Sequence, residues 1–320
     1  MCKPFAVISV IMKKEKIILK DYNYMDWRNH MAASANKMPN NLINRVFTIP
    51  YIDKMINDSK NKDTFYDCVR EYTEGRTEFT YGDAIGQLYR HMDFSYRNEY
   101  FYKNAILNQL LLEKHDIQNS SALTELPIED SKADFVIING RGTVYEIKTD
   151  LDNFSRLEHQ IADYYKAFKY VNVVVGYKQY EKVKVMLEGS GVGIVVMGRN
   201  GKLRCRKVAK CNDKDLCHET IFRILRKNEF ESILYKHFGK LPEVNSFLYY
   251  RECRKWISDI NVKTFQKDML ECLKKRIKIT DEKTFEEKIP YELRFYAYFT
   301  KQKKNQYQII NEFWNNKMEG

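Results

Sequence analysis

The sequence predicts an α/β fold, a mixed sheet flanked by helices, with helical regions on both sides of the sheet-forming segment. Three observations predict it. Two β-branched and aromatic runs, Phe135–Ile138 and Thr143–Ile147, flank Gly140-Arg141-Gly142 and read as a β-hairpin. A helical stretch follows, and then Val171-Asn172-Val173-Val174-Val175, a run with the composition of a buried strand. Before residue 95 and after residue 217, apolar residues recur at three- and four-residue spacing. The 320 residues allow about two domains. They divide into a helical N-terminal region (1–94), a sheet-bearing core (95–210) and a helical, basic C-terminal module (211–320).

From the start, the apolar run Phe5–Met12 is too short to span a bilayer, lacks a signal-peptide cleavage pattern and is followed by Lys13-Lys14-Glu15-Lys16. Pro50 opens a helix that continues to Asn57. Thr64 caps one from Phe65 to Tyr72, and Thr80 caps one through Leu88 to His91. Tyr89-Arg90-His91 and Tyr96-Arg97 interleave cations with aromatics, which suits either stacking on nucleic acid or a solvated helical face. Ser95 caps a longer helix, Tyr96 to Lys114, with Tyr100, Ala105, Ile106, Leu110 and Leu111 on its buried side. Glu99 lies in its first turn, with Lys103 at i+4 as an ordinary surface pair. Residues 115–131 read as a loop with a short strand near Leu123–Leu126.

The hairpin carries Asp134, Glu146 and Lys148. With a strand period of two, Glu146 and Lys148 share a face with Val144. A three-residue loop, Gly140 to Gly142, pairs Asn139 with Thr143, Val136 with Glu146 and Asp134 with Lys148, which brings all three charged groups to one face. An even-numbered loop sends Asp134 to the other face. Gly142 supplies the left-handed residue that closes a three-residue loop. Asp134 and Glu146 are then diagonal neighbours, about 7 Å apart at the backbone, a gap that two carboxylates span with a metal between them. Such groups suit metal-assisted phosphodiester hydrolysis. Mg²⁺ takes oxygen ligands and needs one or two carboxylates. Asp134, Glu146 and the Ile147 carbonyl supply oxygens, and Lys148 orients water and stabilises developing charge. A solvated hairpin face would carry the same residue types with no chemistry.

Asp150-Leu151-Asp152-Asn153 is a helix start, and the helix runs from about Asn153 to Tyr170. Arg156, Gln160 and Tyr164 form one i, i+4, i+8 ridge beside an apolar stripe of Leu157 and Ile161. Beyond Val175, Gln179–Leu187 suits a helix. Gly193–Met197 and Leu203–Val208 suit two strands around Arg199-Asn200-Gly201-Lys202, a hairpin made basic by Arg204, Arg206 and Lys207 as well. Helices are expected over His218–Phe238, Val244–Ile257, Thr264–Ile277 and Tyr291–Trp314, with breaks at Pro242 and Pro290. Lys274-Lys275-Arg276 with Lys278, and Lys301 with Lys303-Lys304, are basic clusters, solvated faces or phosphate contacts.

Asp134, Glu146-Ile147-Lys148 and Gln160-Ile161-Ala162-Asp163-Tyr164 together resemble the PD-(D/E)XK nuclease superfamily. The Gln-X-X-X-Tyr element is similar to its RecB-like branch, in uncharacterised bacterial members. The Pro that names the motif is replaced by Ala133. The resemblance covers roughly residues 95–200 and implies a Mg²⁺- or Mn²⁺-dependent nuclease, endo or exo, acting on DNA more readily than RNA. It implies Asp134, Glu146, Lys148, Gln160 and Glu99 as the catalytic set. Asp134, Glu146, Ile147 and Glu99 would hold the metal, and Arg156, Tyr164 and Arg141 would contact nucleic acid. The alternative is a non-catalytic nucleic-acid-binding protein with a nuclease-like fold.

Composition agrees with a polyanionic partner. The formal net charge is +11 at pH 7. Seven scattered cysteines point to a reducing cytoplasm rather than a disulfide framework, and Cys205, Cys211 and Cys217-His218 match no usual zinc spacing. The expected location is therefore cytoplasmic, with no membrane partner. Monomer and homodimer both remain open.

Overall fold

A computed structural model describes residues 41–58, 62–73, 80–277, 279, 281–300 and 305–318. The Phe5–Met12 run and the cations Lys278, Lys301, Lys303 and Lys304 lie outside the described residues.

Two tight turns lay out the sheet. β1 (Ser121–Ile128) and β2 (Ser131–Ile138) are joined through Glu129-Asp130, with Glu129 at φ 52°. Thr220 and Arg223 (3.3 Å) hold the Glu129 carboxylate. β2 and β3 (Gly142–Lys148) are joined by Asn139-Gly140-Arg141, since Ile138 pairs with Gly142. The loop thus has the expected three residues but is displaced by one, and the register slides by two. Val136 faces Val144 rather than Glu146. Gly140, at φ 79°, takes the left-handed position expected of Gly142. Gly142 opens β3 instead, because its missing side chain makes room for Leu270 and Phe168. A Cβ there would lie 2.5 Å and 2.8 Å from them. A slide of two keeps the parity of every side chain.

Six strands follow in sequence order, β1-β2-β3-β4-β5-β6. β3 pairs in parallel with β4 (Tyr170–Gly176), and β4 with β5 (Gly193–Met197). β6 (Leu203–Lys207) returns antiparallel. The sheet is therefore mixed and flanked by helices, as expected. β4 is buried on both faces, as a central parallel strand requires. The basic β6 is a largely exposed edge, which resists pairing with other chains.

Helices cover both faces. On one side lie α1 (Asn41–Val46), α2 (Ile49–Asn57), α3 (Asp63–Tyr72), α4 (Tyr81–Phe94) and α5 (Glu99–Ile106), packed on Phe135, Ile137, Ile147 and Val174. On the other lie α6 (Leu157–Tyr165), α7 (Tyr180–Met186), α8 (His218–Ile224), α9 (Lys227–Phe238), α10 (Ser246–Ser258) and α11 (Val262–Lys274), packed on Val136, Val144, Val173 and Val196. The last helices, α12 (Glu282–Lys288), α13 (Arg294–Phe299) and α14 (Gln306–Asn315), return to the first side. Tyr81 stacks on Phe313 with centroids 4.4 Å apart, and Tyr296 donates to Asp53 at 2.9 Å. The described residues from 42 onward form one compact unit, with those after 210 shared between the two helical layers.

Local side-chain bonds explain most shifted boundaries. Ser95 does not open α5. Its hydroxyl bonds the His91 carbonyl at 2.8 Å and closes α4, while Asn98 caps α5 by accepting from Phe101 N–H at 3.0 Å. The expected continuation to Lys114 becomes a π-helical turn, Leu107–Leu112, where Asn108 donates to the Asn104 carbonyl at 2.8 Å. Asp152 is not an N-cap either. It accepts from the backbone and hydroxyl of Thr149, both at 2.7 Å, and delays α6 to Leu157. The stretch 218–238 breaks into two helices between Ile224 and Lys227.

Gly142→Ala is expected to overpack Leu270 and Phe168, costing about 1–3 kcal/mol. A urea melt should show a lower midpoint at unchanged slope. An unaltered midpoint would mean that the hairpin is not wedged against α11.

Candidate active site

Glu146 and Lys148 share one face of β3, as expected from the strand period. Their side chains are buried, 1% and 8% exposed, yet point toward α6 rather than into an apolar layer. Lys148 Nζ donates to Glu146 Oε1 at 2.9 Å and to Gln160 Oε1 at 2.8 Å. Tyr164 donates to Glu146 Oε2 at 2.6 Å and contacts the Lys132 carbonyl at 2.9 Å. Gln160 and Tyr164, one turn apart on α6, thus each hold one charged group of β3. Burial and the neighbouring Glu146 charge raise the Tyr164 phenol well above its ordinary value, so it remains a donor. Asp163 fixes α6 over the strands. It accepts from Ser131 at 2.7 Å, at the start of β2, and pairs with Lys166 at 2.9 Å.

Asp134 does not lie on the same sheet face in the simple way the alternation suggests. Its Oδ2 accepts from the Ile147 N–H at 2.7 Å, so the carboxylate stands in the opening between β2 and β3 just beyond the last ladder pair, Phe135 with Tyr145. The physical reason is a change of phase in β1 and β2. Leu123 and Leu126 both enter one core, and so do Ala133 and Val136, which strict alternation forbids. The break coincides with Glu125, whose backbone is left-handed at φ 55°. Because a strand residue directs N–H and C=O to the same neighbour, the Ile147 carbonyl also faces Asp134.

Glu125, which sequence reading did not single out, falls opposite Asp134 in the register that pairs Thr124 with Phe135 and Leu126 with Ala133. The hairpin that places it is closed by Glu129-Asp130, which carries no Gly or Asn to mark a turn. Glu99 arrives from the first turn of α5. Ligand oxygens of Glu99, Glu125 and Asp134 lie within 4.8 Å of one another, the only such group of metal-capable side chains found among the described residues. Lys103 is not a surface partner of Glu99. It is 6% exposed and bonds both Glu99, at 2.5 Å, and Glu125. Burial opposes its charge, but the two glutamates outweigh that and hold the ammonium above its ordinary value. A cleft of about 580 Å³ opens beside this group, lined by Tyr96, Glu99, Lys103, Glu125, Thr149 and Asp152 among others.

The remaining predicted contacts lie elsewhere. Arg156 caps α6 with its carbonyl and is exposed. Arg141 sits at the hairpin tip, the far end of β3 from Glu146, with its guanidinium 4.6 Å from the Tyr170 ring centre. Arg97 binds Asp93 at 2.7 Å and the Gly198 carbonyl at 2.7 Å, and Tyr89 and His91 are buried, so that cation–aromatic stretch joins elements of the fold. Arg276 pairs with Glu229 at 2.6 Å and is largely buried, which removes it from any phosphate face.

The family model described as Bacteriophage P4 protein cII matches residues 92–294. The chain belongs to that family. The cII match spans every group at the centre, from Glu99 to Tyr164, and the six strands with them. No curated protein and no solved structure matches the chain. No helix among the described residues is long and apolar enough to cross a membrane.

Burial, then the nearby Glu146 charge, push the Asp134 carboxyl up to about 8 from 3.8. Between those values the folded chain holds a proton that the unfolded chain has released. Stability therefore falls as pH rises through that window. Asp134→Asn, neutral at every pH, should match wild type near pH 4 and exceed it above pH 8. Each kcal/mol gained reads as about 2–4 °C in Tm. Parallel Tm profiles of the two proteins in metal-free buffer across the window would refute this.

Proposed function

We propose that this protein is a metal-dependent nuclease that hydrolyses phosphodiester bonds, with DNA as the preferred nucleic acid and a PD-(D/E)XK centre of the RecB-like kind. The observation that carries the reading is the bonded chain Gln160–Lys148–Glu146–Tyr164. A solvated hairpin face would leave Glu146 and Lys148 to water. Here both are buried, and each is held by one of the two α6 residues that the resemblance names.

The oxygens on offer suit Mg²⁺ or Mn²⁺. Asp134 and Glu146 supply carboxylates, the Ile147 carbonyl faces the same opening, and Glu99 borders it. The Asp134 carboxyl is raised first by burial and then by the Glu146 charge, and a bound cation would favour its ionised form. Such a metal, when bound, acidifies water and offsets charge on the scissile phosphate. The chain's own groups do the positioning. Gln160 and Glu146 fix the Lys148 ammonium, which directs the nucleophile and stabilises negative charge on the phosphate. Tyr164 engages Glu146 Oε2 and sets the carboxylate plane. Gln160 buttresses Lys148 and borders the phosphate. The net charge of +11 favours the polyanion's approach.

Supercoiled plasmid should be nicked with Mg²⁺ or Mn²⁺ and left intact with EDTA. Binding without nicking under all three conditions would instead favour a non-catalytic nucleic-acid-binding protein with a nuclease-like fold. Glu146→Gln should abolish cleavage and weaken metal binding while metal-free DNA affinity holds or tightens, because a negative charge is lost. Lys148→Ala should keep metal binding but lose a factor of about 100–1000 in rate. Wild-type cleavage by the Glu146 variant would place any activity elsewhere.

A further inference from the structure

We propose that the Lys103 ammonium is a built-in cation filling the place between Glu99, Glu125 and Asp134 that a second divalent ion would otherwise take, so that the centre holds one exchangeable metal. Asp134 borders two sets of oxygens. On one side are Glu146 and the Ile147 carbonyl, and on the other are Glu99 and Glu125. Two-metal phosphodiester sites space their ions about 3.5–4 Å apart around a shared carboxylate. The second set has the oxygen count for such an ion, with its ligand atoms within 4.8 Å of one another. Lys103 already pairs with the Glu99 and Glu125 carboxylates of that set.

Three features separate this lysine from an incidental ion pair. Exposed pairs leave the cation in water and contribute little, whereas Lys103 is 6% exposed and comes from the buried side of α5. It bridges two carboxylates from different elements, Glu99 on α5 and Glu125 on β1. The other Glu125 oxygen also meets a cation, Lys132 at 3.1 Å. An ammonium is a compact point charge with three donors, which suits a pocket of carboxylate oxygens in a way that a planar guanidinium does not. Its single charge offsets part of the acid cluster without exchanging with solvent.

The inference rests on the metal-centre reading only for the first ion, and metal counting separates the two. The full chain is equilibrated with Mn²⁺, and bound ions per chain are measured by elemental analysis after rapid desalting and by titration calorimetry. Wild type should bind one. Lys103→Met should bind two, and Lys103→Met with Glu125→Gln should return to one. Lys103→Gln preserves length and hydrogen bonding without the charge. It should show the same gain and serves if the methionine variant fails to fold. Mn²⁺ should also raise the Tm of the Lys103 variants more than that of wild type, because the new site binds only the folded chain. Equal counts in wild type and both Lys103 variants overturn the proposal, as does a wild type that already binds two. A wild type that binds none overturns the nuclease centre, whereas a gain of one ion on removing Lys103 still supports the assignment of Lys103.

Discussion

Like charges confined in a small space govern the arrangement around β3. Glu99, Glu125, Asp134 and Glu146 come from a helix and three adjacent strands; Glu99 and Glu125 open to solvent, while Glu146 is buried and Asp134 partly so, where repulsion is screened less. Two buried lysines make the grouping tolerable. Lys148 is set against Glu146, and Lys103 against Glu99 and Glu125. Asp134 accepts the Ile147 N–H, and burial, then the Glu146 charge, favour its protonated form. Much of the surrounding detail serves to keep these six groups from moving apart.

The sheet supplies that restraint. β3 lies between an antiparallel and a parallel neighbour, so its backbone cannot slide. α6 is fixed over it in its last turn by Asp163 on Ser131 and by Tyr164 on Glu146 and the Lys132 carbonyl, and one turn earlier by Gln160 on Lys148. On the opposite face α5 is tied to the 3-10 turn that leads into α13, through Tyr100 on the Glu292 carbonyl and Asn104 on the Tyr291 carbonyl. The acids therefore sit at a junction of both helical layers.

How far the sequence disclosed this depends on which signals were local. The hairpin was legible because Val, Ile and Phe flank a Gly-containing turn, and the even slide of register left the faces of Glu146 and Lys148 unchanged. The Gln160 and Tyr164 ridge was legible because helical spacing is rigid. β1 was half hidden. Its turn, Glu129-Asp130, has no Gly or Asn, and its left-handed residue is Glu129, held by Thr220 and Arg223 from far along the chain. With β1 went Glu125, and with Glu125 the true surroundings of Lys103, which spacing alone makes a surface pair. The phase change of β1 and β2 was hidden for the same reason, since it is set by one left-handed glutamate. Helix ends slipped where Ser95, Asp152 and Asn108 bond their own backbone, a competition that composition does not reveal.

The return of the last three helices to the first layer has a kinetic meaning. Asp53 finds Tyr296 across 243 residues, and Tyr81 stacks on Phe313 across a comparable span. Contacts so remote in sequence form late, after nearly all the chain has been ordered between them. During synthesis α1–α5 must leave the ribosome with one apolar flank uncovered and wait for α12–α14 to close it. The acid cluster depends on α5 for Glu99 and Lys103, and α5 is braced in turn by the Tyr291 and Glu292 carbonyls. With α5 displaced, the sheet would keep Glu125, Asp134 and Glu146 without Glu99 and the Lys103 ammonium.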